Sequence, residues 1–414
     1  MTIREIAERA RSSSRQMAQL SSATKQTLLQ SMGDALLQAK DQILQANQQD
    51  LQAAEAHGAS PALLDRLRLT PERLANMASA LAALARFPDP VGELLDQQTT
   101  ELGLRIERRR VPLGVVAIVF EARPNVCSDA AGLCLLAGNA VILRGGSDAL
   151  NSNRSITAAL RQALEQQNLP VDAVQLVDSA DRRKVEELLQ LEGYIDVVIP
   201  RGGESLIRTV VEQSRIPVIK HYKGVCHIYV DESADPEMAE RILINAKCQR
   251  PGVCNAVETL LIHQKASMSL LPQLCRALED RGVAVRGDER ARGLVASITP
   301  AAEADWRAEY LDLLLAIRVV DSLDEAITHI ETYGSHHSDA IVTSNSEAAE
   351  RFLREVDSAA VYVNASTRFT DGEQFGLGAE IGISTDKLHA RGPMGVRELT
   401  SYKWIVRGNG TIRP

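Results

Sequence analysis

Residues 115–120 read Val-Val-Ala-Ile-Val-Phe, an unbroken apolar run rich in β-branched side chains. A turn signal, Pro112-Leu113-Gly114, precedes the run, and a polar cluster follows it. Short apolar runs bounded in this way are typical of strands buried on both faces, as in a parallel sheet. The rest of the fold is predicted outward from this strand.

Beyond this strand, apolar runs alternate with helical patterns in two consecutive series. The first series predicts strands at 139–143, 174–177, 196–199 and 218–219, with helices at 149–167, 182–191 and 204–213. The second predicts strands at 257–263, 283–285, 316–320, 340–343 and 361–364, with helices at 266–280, 322–332 and 346–356. This alternation indicates βαβ units on parallel sheets, so the predicted fold class is α/β with two such units in series.

The regions outside these series have other patterns. Residues 1–100 show helical spacing, with one helix predicted over 22–45 and another over 74–87, opened by Thr70-Pro71-Glu72. Residues 104–111 alternate charged and apolar side chains, which predicts a half-exposed strand. We expect the boundary between the two α/β series near 230–236, and a tail from 376 that closes no unit of its own.

The composition limits the classes of function. The chain has 414 residues and a formal net charge of −8, which speaks against nucleic acid as a partner. Its N-terminus is charged by Arg4, and no apolar run approaches the roughly 20 residues needed to cross a bilayer. The six cysteines are irregularly spaced and form no CxxC pair. We therefore expect a cytoplasmic protein without disulfides, a zinc cage or a membrane partner.

A polar cluster, Phe120-Glu-Ala-Arg-Pro-Asn-Val126, follows the first buried strand directly. The carboxyl ends of parallel strands are where ligands bind in open α/β sheets. There Arg123 could bind a carboxylate or phosphate of a substrate, and Asn125 could donate a hydrogen bond to a developing oxyanion. The alternative is a plain turn with a surface arginine.

Two similar turns each consist of a strand, Arg-Gly-Gly and then a helix. They are Arg144-Gly145-Gly146 and Arg201-Gly202-Gly203. Glycines let the backbone approach a ligand closely, and a helix N-terminus beside an arginine suits phosphate. Neither turn matches GxGxxG or a P-loop. The two turns indicate a phosphate-bearing cofactor only because the same strand–Arg-Gly-Gly–helix pattern occurs twice.

Cys254 lies on a loop, Gln249-Arg-Pro-Gly-Val-Cys254, between a helix and the strand predicted at 257–263. Its polar neighbours favour a nucleophile over a packing residue. Cys248 at the helix end is the one rival. The other four, Cys127, Cys134, Cys226 and Cys275, lie in or beside apolar patterns and are expected to be buried packing residues.

A fourth segment, from 363–372 to 388–395, is rich in Ser, Thr, Arg, Asp and Gly. Arg368, His389 and Arg391 could hold anionic groups of a substrate, although a long solvated loop would have the same composition. No metal site is predicted, because the pairs His336-His337 and His221/His227 lack an acid or Cys partner at ligand spacing.

Seven phrases together resemble the aldehyde dehydrogenase superfamily, and within it the branch that reduces γ-glutamyl phosphate in proline biosynthesis. The resemblance runs from about residue 20 to the end of the chain. The phrases are RRRVPLGV (108–115), EARPNV (121–126), AGNAVILRGG (137–146), IPRGG (199–203), GVCHIYVD (224–231), VYVNASTRFTDGEQFGLGAE (361–380) and KLHARGPMG (387–395).

This resemblance implies the domains and the roles of individual residues. The implied fold is aldehyde dehydrogenase-like, with two doubly wound α/β domains plus a small oligomerisation element. Residues 1–232 would form the N-terminal helices and NADP-binding domain, 233–375 the catalytic domain, and 376–414 a segment returning to the cofactor domain and the oligomerisation element. A hairpin at 99–114 would belong to a small oligomerisation element, giving a dimer or tetramer. The implied roles are nucleophile for Cys254, oxyanion donor for Asn125, ribose ligand for Glu309 and adenosine-side ligand for Arg144.

The resemblance also implies an activity. This is NADPH-dependent reduction of L-glutamyl 5-phosphate to the semialdehyde through a cysteine thioester, with a possible transient contact to glutamate 5-kinase. Hydrolytic relatives activate water with a Glu, whereas 220–224 reads Lys-His-Tyr-Lys-Gly without a carboxylate. That difference favours reduction. The alternatives are a CoA-acylating or simple aldehyde dehydrogenase, a catalytically silent relative, and a metal enzyme.

Overall fold

The structure is a computed structural model in which residues 1–413 are described. The chain forms two compact units. The first contains Met1–Lys220, Gly376–Gly382 and the C-terminal residues from Met394, and the second contains His221–Phe375 and Ile383–Pro393. No helix among the described residues is long and apolar enough to cross a membrane.

The α-helices and β-strands follow each other along the whole chain. The helices are α1 (Ile3–Met17), α2 (Ser22–Gln38), α3 (Lys40–Ala56), α4 (Pro61–Leu67), α5 (Pro71–Leu84), α6 (Val126–Leu136), α7 (Leu150–Gln166), α8 (Arg183–Leu189), α9 (Glu204–Gln213), α10 (Pro236–Cys248), α11 (Gln264–Glu279), α12 (Glu289–Leu294), α13 (Leu323–Tyr333) and α14 (Ser346–Glu355). The strands are β1 (Leu94–Thr99), β2 (Arg105–Pro112), β3 (Val115–Phe120), β4 (Ala140–Arg144), β5 (Val174–Leu176), β6 (Val197–Arg201), β7 (Cys226–Val230), β8 (Val257–His263), β9 (Ala284–Gly287), β10 (Thr299–Pro300), β11 (Leu314–Val320), β12 (Ser338–Val342), β13 (Ala360–Val363), β14 (Gly382–Ser384), β15 (Gly392–Met394) and β16 (Thr400–Arg407).

The first unit contains a parallel sheet in the order β5-β4-β3-β6. Every residue of β3 is buried, as its apolar run predicts. The segment predicted as a strand at 218–219 makes only an isolated bridge, from Val218 to Val198. A two-residue apolar run is too short to hold a ladder by itself, which explains the difference.

Helices of the first unit begin where the sequence signals predict. Thr70 caps α5 by accepting a hydrogen bond from the N–H of Arg73, and Pro71 occupies the first turn. The helix predicted over 22–45 is two helices, because the chain leaves helical geometry at Ala39. Alanine carries no turn signal, so residue type alone does not indicate this break.

A three-stranded antiparallel sheet, β1-β2-β16, also belongs to the first unit. The half-exposed strand predicted at 104–111 is β2. A hairpin is present as β1 and β2, but its first strand begins at Leu94, before the predicted start at 99. The C-terminal strand pairs with β2 along its whole length. Glu107 is buried in this sheet and pairs with Arg105, Arg109 and Arg407. Hydrogen bonds from Arg109 and then Arg407 lower the pKa of Glu107 to about 2.

The second unit is built on a parallel sheet in the order β10-β9-β11-β8-β7-β12-β13. The five strands predicted for this series are present, and 257–263 agrees residue for residue with β8. The sequence pattern assigned 226–232 to the first domain, whereas β7 lies in the second unit between β8 and β12. An apolar run looks the same in either sheet, so strand order decides where the boundary lies.

The C-terminal tail from 376 is divided between the units. Its first residues, Gly376–Gly382, and the part from Met394 belong to the first unit, while Ile383–Pro393 belongs to the second. The tail therefore closes no unit of its own, as expected.

Candidate active site

Four loops meet at one edge of the second unit's sheet because the strands that follow them are parallel neighbours. Gly224 precedes β7, Cys254 precedes β8, Glu309 lies before β11, and His337 immediately precedes β12. These loops are at the amino ends of the strands, opposite to the edge usually used by open α/β sheets. The candidate site is assembled from this edge.

Helix α10 and the loop after it position Cys254. Asp235 caps the helix by accepting a hydrogen bond from the N–H of Met238. The helix ends at Cys248, and Pro251 prevents its continuation because proline lacks the donor that a further turn needs. Cys254 is partly buried, whereas β8, which begins three residues later, is buried throughout.

Gly224 fits closely against the backbone of Cys254. A Cβ at residue 224 would lie 1.8 Å from the carbonyl oxygen of Cys254 and 2.5 Å from its carbonyl carbon. The N–H of Gly224 donates to Oε1 of Glu309 at 2.8 Å, and the thiol of Cys226 donates to the Cys254 carbonyl at 3.2 Å. Glu309 thus helps to hold this backbone, and its predicted contact with a cofactor ribose stays a prediction.

Two imidazoles lie beside the Cys254 thiol. One donor atom from each of His221, Cys254 and His337 lies within 4.8 Å of the others. The two rings meet edge to face, with 5.6 Å between their centroids. The expectation that these histidines lack a Cys partner is therefore wrong. Residues 221, 254 and 337 are far apart in the chain, and no local spacing indicates that they meet.

His337 is a neutral imidazole at neutral pH. Its side chain is fully buried, and burial, followed by the charge of His221, lowers its pKa to about 3. Its Nδ1 lies 2.9 Å from the hydroxyl oxygen of Ser338. The neighbouring His336 has another environment, with Nδ1 2.9 Å from the carbonyl oxygen of Asp357.

Arg368 lies beside the Cys254 loop. Its predicted role in holding an anionic group of the substrate stays a prediction. Its Nε donates to the side chain of Gln249 at 2.7 Å, and its Nη1 donates to the side chain of Asn255. Burial and then the charge of Arg250 lower the pKa of Arg368, while the negative charges of Asp371 and Cys254 oppose that shift. A cationic group is therefore close to the thiol.

The other two predicted substrate ligands have different surroundings. Arg391 binds Asp357 twice, through Nη1 to the carboxylate and through Nη2 to the carbonyl oxygen, each at 2.8 Å. His389 is exposed on the loop and has a φ of 70°. Substrate roles for Arg391 and His389 stay predictions.

A buried ion pair supports the loops of the candidate site, and the sequence analysis did not identify it. Nζ of Lys247 and Oε2 of Glu258 are 2.6 Å apart, and both side chains are fully buried. The other carboxylate oxygen accepts from the N–H of Leu311 at 3.2 Å. Burial raises the pKa of Glu258 to about 7 against the opposing charge of Lys247. The pair links α10 and β8 to the loop that carries Glu309.

The first Arg-Gly-Gly turn, in the first unit, offers a buried cation. Arg144 is 7% exposed, and burial followed by the charge of Arg182 lowers its pKa. Its Nε is buried and has no hydrogen-bond partner among residues 1–413. A Cβ at residue 145 would lie 2.1 Å from Nδ2 of Asn153, so glycine is required there. The turn fits an anionic group such as a cofactor phosphate.

The second Arg-Gly-Gly turn already holds a carboxylate. Oε2 of Glu121 accepts from the N–H of Gly203 at 2.9 Å, and a Cβ at residue 202 would lie 2.5 Å from that oxygen. The glycines make room for this side chain at the start of α9. Cofactor contacts of Arg201, Gly202 and Gly203 stay predictions, as do those of the first turn.

The polar cluster after β3 is also engaged within the first unit. Nδ2 of Asn125 donates to Oδ2 of Asp129 at 2.8 Å, and burial raises the pKa of Asp129. Arg123 is exposed. Oxyanion binding by Asn125 and substrate binding by Arg123 stay predictions.

The four cysteines that were expected to be packing residues are buried. Cys127, Cys134, Cys226 and Cys275 are buried, and burial raises the pKa of each. Cys248, the rival nucleophile, is partly buried, and burial raises its pKa as well. Among the six cysteines, Cys254 is the one grouped with two imidazoles.

Comparisons with known proteins agree with this fold. The sequence model of the aldehyde dehydrogenase family matches residues 1–293. The γ-glutamyl phosphate reductase of Moorella thermoacetica is 54% identical over 406 residues, covering 98% of this chain and 97% of its own. The crystal structure of γ-glutamyl phosphate reductase from Thermotoga maritima has a TM-score of 0.99 and 46% identity, covering 100% of both chains.

A more distant solved structure shares the fold alone. An acetylating aldehyde dehydrogenase from Geobacillus thermoglucosidasius has a TM-score of 0.69 and 15% identity, covering 100% of this chain and 97% of its own.

The chain belongs to the aldehyde dehydrogenase family and is an oxidoreductase of that family. The α/β fold implied by the sequence resemblance is confirmed. The resemblance to the branch that reduces γ-glutamyl phosphate is confirmed as well, because curated relatives at 51–54% identity over nearly the whole chain carry the name γ-glutamyl phosphate reductase.

Proposed function

We propose that this enzyme reduces L-glutamyl 5-phosphate to L-glutamate 5-semialdehyde with NADPH and releases phosphate, the second step of proline biosynthesis from glutamate. The identity of 53–54% to γ-glutamyl phosphate reductases over nearly the whole chain supports this choice of substrate. The single structural observation that carries the proposal is the partly buried Cys254, with its backbone held by Gly224 and Cys226 and a guanidinium nearby. A thiol fixed in this way suits attack on an activated acyl group.

The proposed chemistry is covalent. The Cys254 thiolate attacks the acyl carbon of the substrate and expels phosphate, which leaves a thioester on sulfur. The nicotinamide cofactor, when bound, supplies the hydride. Cys254 leaves again as a thiolate when the aldehyde forms. Its backbone N–H, and the predicted donor Asn125, would stabilise the oxyanions of these steps.

The anions of the reaction need cations, and we assign that part to two arginines, of which Arg144 is buried and Arg368 is partly buried. Arg368 beside the Cys254 loop would hold an anionic group of the substrate. Arg144, whose Nε is unpartnered within the described chain, would hold a cofactor phosphate with Gly145 and Gly146. Preference for NADPH over NADH is part of this proposal.

The β1-β2-β16 sheet supports the proposal of a homo-oligomer. Tyr402, Trp404 and Val406, which alternate along β16, are about half exposed. Three such apolar side chains exposed on one strand are unusual at a protein surface. The proposed assembly is a dimer or tetramer. A cytoplasmic location and a transient contact with glutamate 5-kinase complete the proposal.

The reverse reaction tests the acyl-phosphate chemistry. The protein is mixed with glutamate 5-semialdehyde and NADP, and NADPH formation is followed by absorbance with and without inorganic phosphate. We expect NADPH only when phosphate is present, because phosphate must accept the acyl group from the Cys254 thioester. Arsenate should replace phosphate, whereas sulfate should not.

Two results would contradict this expectation. Turnover without phosphate would mean that water takes the acyl group, and the absence of a carboxylate at 220–224 would then have been misread. Turnover with coenzyme A in place of phosphate would mean an acylating aldehyde dehydrogenase.

A substitution at Gly224 tests whether the Cys254 backbone must be held in place. In Gly224→Ala the new Cβ would displace the Cys254 carbonyl, from which it would be 1.8 Å away. We expect kcat to fall by about 100-fold, because an error of about 1 Å in a reacting group costs that much. Steady-state kinetics of the reverse reaction measures the change.

Gly252→Ala is the matched control. It lies on the loop that carries Cys254, but its Cβ would be 3.7 Å from the nearest atom, the carbonyl oxygen of Leu311. It should retain kcat within about threefold, since this is ordinary van der Waals contact. Equal losses in both variants would mean that the loop tolerates no change at all, and the close approach at Gly224 would explain nothing.

A further inference from the structure

The cluster of His221, Cys254 and His337 brings together three side chains that can bind a metal ion, whereas the proposed reaction uses only the thiolate of Cys254. The reaction needs one thiolate, yet the fold places two imidazoles against it, with one donor atom of each residue within 4.8 Å of the others. In a tetrahedral zinc site, ligands 2.0–2.3 Å from the ion are roughly 3.5 Å apart. Small rotations of the three side chains would close that difference.

The hydrogen bond of His221 prepares it as a ligand. Its Nδ1 lies 2.8 Å from the carbonyl oxygen of Ile383, which can only accept, so Nδ1 carries the proton. Nε2 is then the nitrogen with the lone pair. Metal-binding histidines usually make this contact between the second ring nitrogen and a carbonyl or carboxylate.

The second imidazole has an unsatisfied nitrogen. His337 is fully buried, and its Nδ1 is engaged by Ser338, whose hydroxyl is 2.6 Å from that of Thr370. Its Nε2 is buried and makes no hydrogen bond within the part of the chain that the structure describes. A buried polar atom without a partner costs free energy, and a ligand would remove that cost.

From these contacts we propose that His221, Cys254 and His337 bind a thiophilic divalent ion such as Zn²⁺, and that the bound ion reversibly inhibits the enzyme. One thiolate and two imidazoles, each binding through an unprotonated ring nitrogen, suit Zn²⁺ or Co²⁺, whereas Mg²⁺ and Ca²⁺ require oxygen ligands. Three protein ligands leave a fourth position for water. Inhibition follows because coordination occupies the sulfur that attacks the substrate, and this second part rests on the proposed function.

Cobalt provides a readout of the site that is independent of activity. The metal-free protein is titrated with Co²⁺ in a buffer without added thiols. We expect one ion per chain, visible bands of tetrahedral cobalt and a near-ultraviolet thiolate-to-cobalt charge-transfer band. An equivalent of Zn²⁺ should remove these bands, and Mg²⁺ should not.

Variants assign the ligands. Cys254→Ser should lose the charge-transfer band, and His221→Gln should weaken Co²⁺ binding at least about tenfold. Cys248→Ser is the matched control, because its thiol lies on α10 outside the cluster, and it should bind like the original protein. Since His337→Asn changes a buried residue, its circular dichroism is compared first, and His221→Gln carries the test if that variant unfolds.

The outcomes separate the metal site from the proposed function. Absence of the charge-transfer band in the unsubstituted protein, or its persistence in Cys254→Ser, would overturn the site. If one Co²⁺ binds at Cys254 but the phosphate-dependent reaction continues unchanged, the site stands and the inhibition, together with the nucleophile role of Cys254, fails. Inhibition by Zn²⁺ that EDTA reverses, and that is at least about tenfold weaker in His221→Gln, supports both parts.

Discussion

Replacing Cys254 with alanine is expected to lower kcat by at least about 10⁴-fold, the scale seen when an enzyme loses its covalent nucleophile. The alanine side chain cannot form the thioester, and hydride transfer then has no acyl-enzyme to act on. NADPH binding should be largely unchanged, because no cofactor contact is proposed for this side chain. The reverse reaction measures the loss, and NADPH fluorescence on titration with the protein measures the binding.

Cys248→Ser is the control for this substitution. It removes the rival thiol on α10, whose pKa is raised by burial. The variant should retain activity within about threefold, because Cys248 is only partly buried and the change from thiol to hydroxyl is small. A Cys254→Ala variant with appreciable activity would end the covalent mechanism. Loss of activity in Cys248→Ser alone would instead transfer the nucleophile role to Cys248.

The second large effect is expected in stability. Lys247→Met should lower the free energy of unfolding of the second unit by about 3–5 kcal/mol at pH 8, because it leaves Glu258 as a buried charge without a partner. Urea unfolding measures the change. Trp306 is buried in the second unit and Trp404 is half exposed in the first, so a Trp404→Phe background makes fluorescence report on the second unit.

The pH dependence of this loss has a definite sign. The folded-state pKa of Glu258, about 7, lies above its ordinary value of 4.5, so the folded protein binds the proton more tightly. Its favourable contribution is therefore complete below about pH 4.5 and is lost as the pH rises through 7. In Lys247→Met the attraction that favours ionisation is gone. The destabilisation should thus be smaller at pH 5.5, where Glu258 is protonated, than at pH 8.

A surface pair provides the control. Lys265 pairs with Glu232, and their side chains are 70% and 44% exposed. Lys265→Met in the same unit should change the free energy of unfolding by less than about 1 kcal/mol, because water screens exposed ion pairs. Equal effects of the two substitutions would show that burial of the Lys247–Glu258 pair has no energetic consequence.

Local patterns predicted many elements correctly. The apolar runs at 115–120 and 257–263 are buried strands in the structure, because a strand shielded on both faces requires apolar side chains at every position. The cap of α5 was predictable for a similar reason, since Thr70 and Pro71 act within one turn. The candidate nucleophile Cys254 was identified from its own loop, and its catalytic role stays a prediction. The structure adds that the imidazoles of His221 and His337 lie beside it.

The α/β class, the α5 cap, most strand positions and the candidates Cys254 and Arg368 were thus predictable from local sequence, because they depend on residues that are neighbours in the chain or on phrases shared with the family. The folded structure was needed to show that His221 and His337 lie beside Cys254, that Gly224 contacts its backbone, and that β7 belongs to the second unit. Those contacts depend on the order of parallel strands, which joins residues 30 or more positions apart and leaves no periodicity in the sequence.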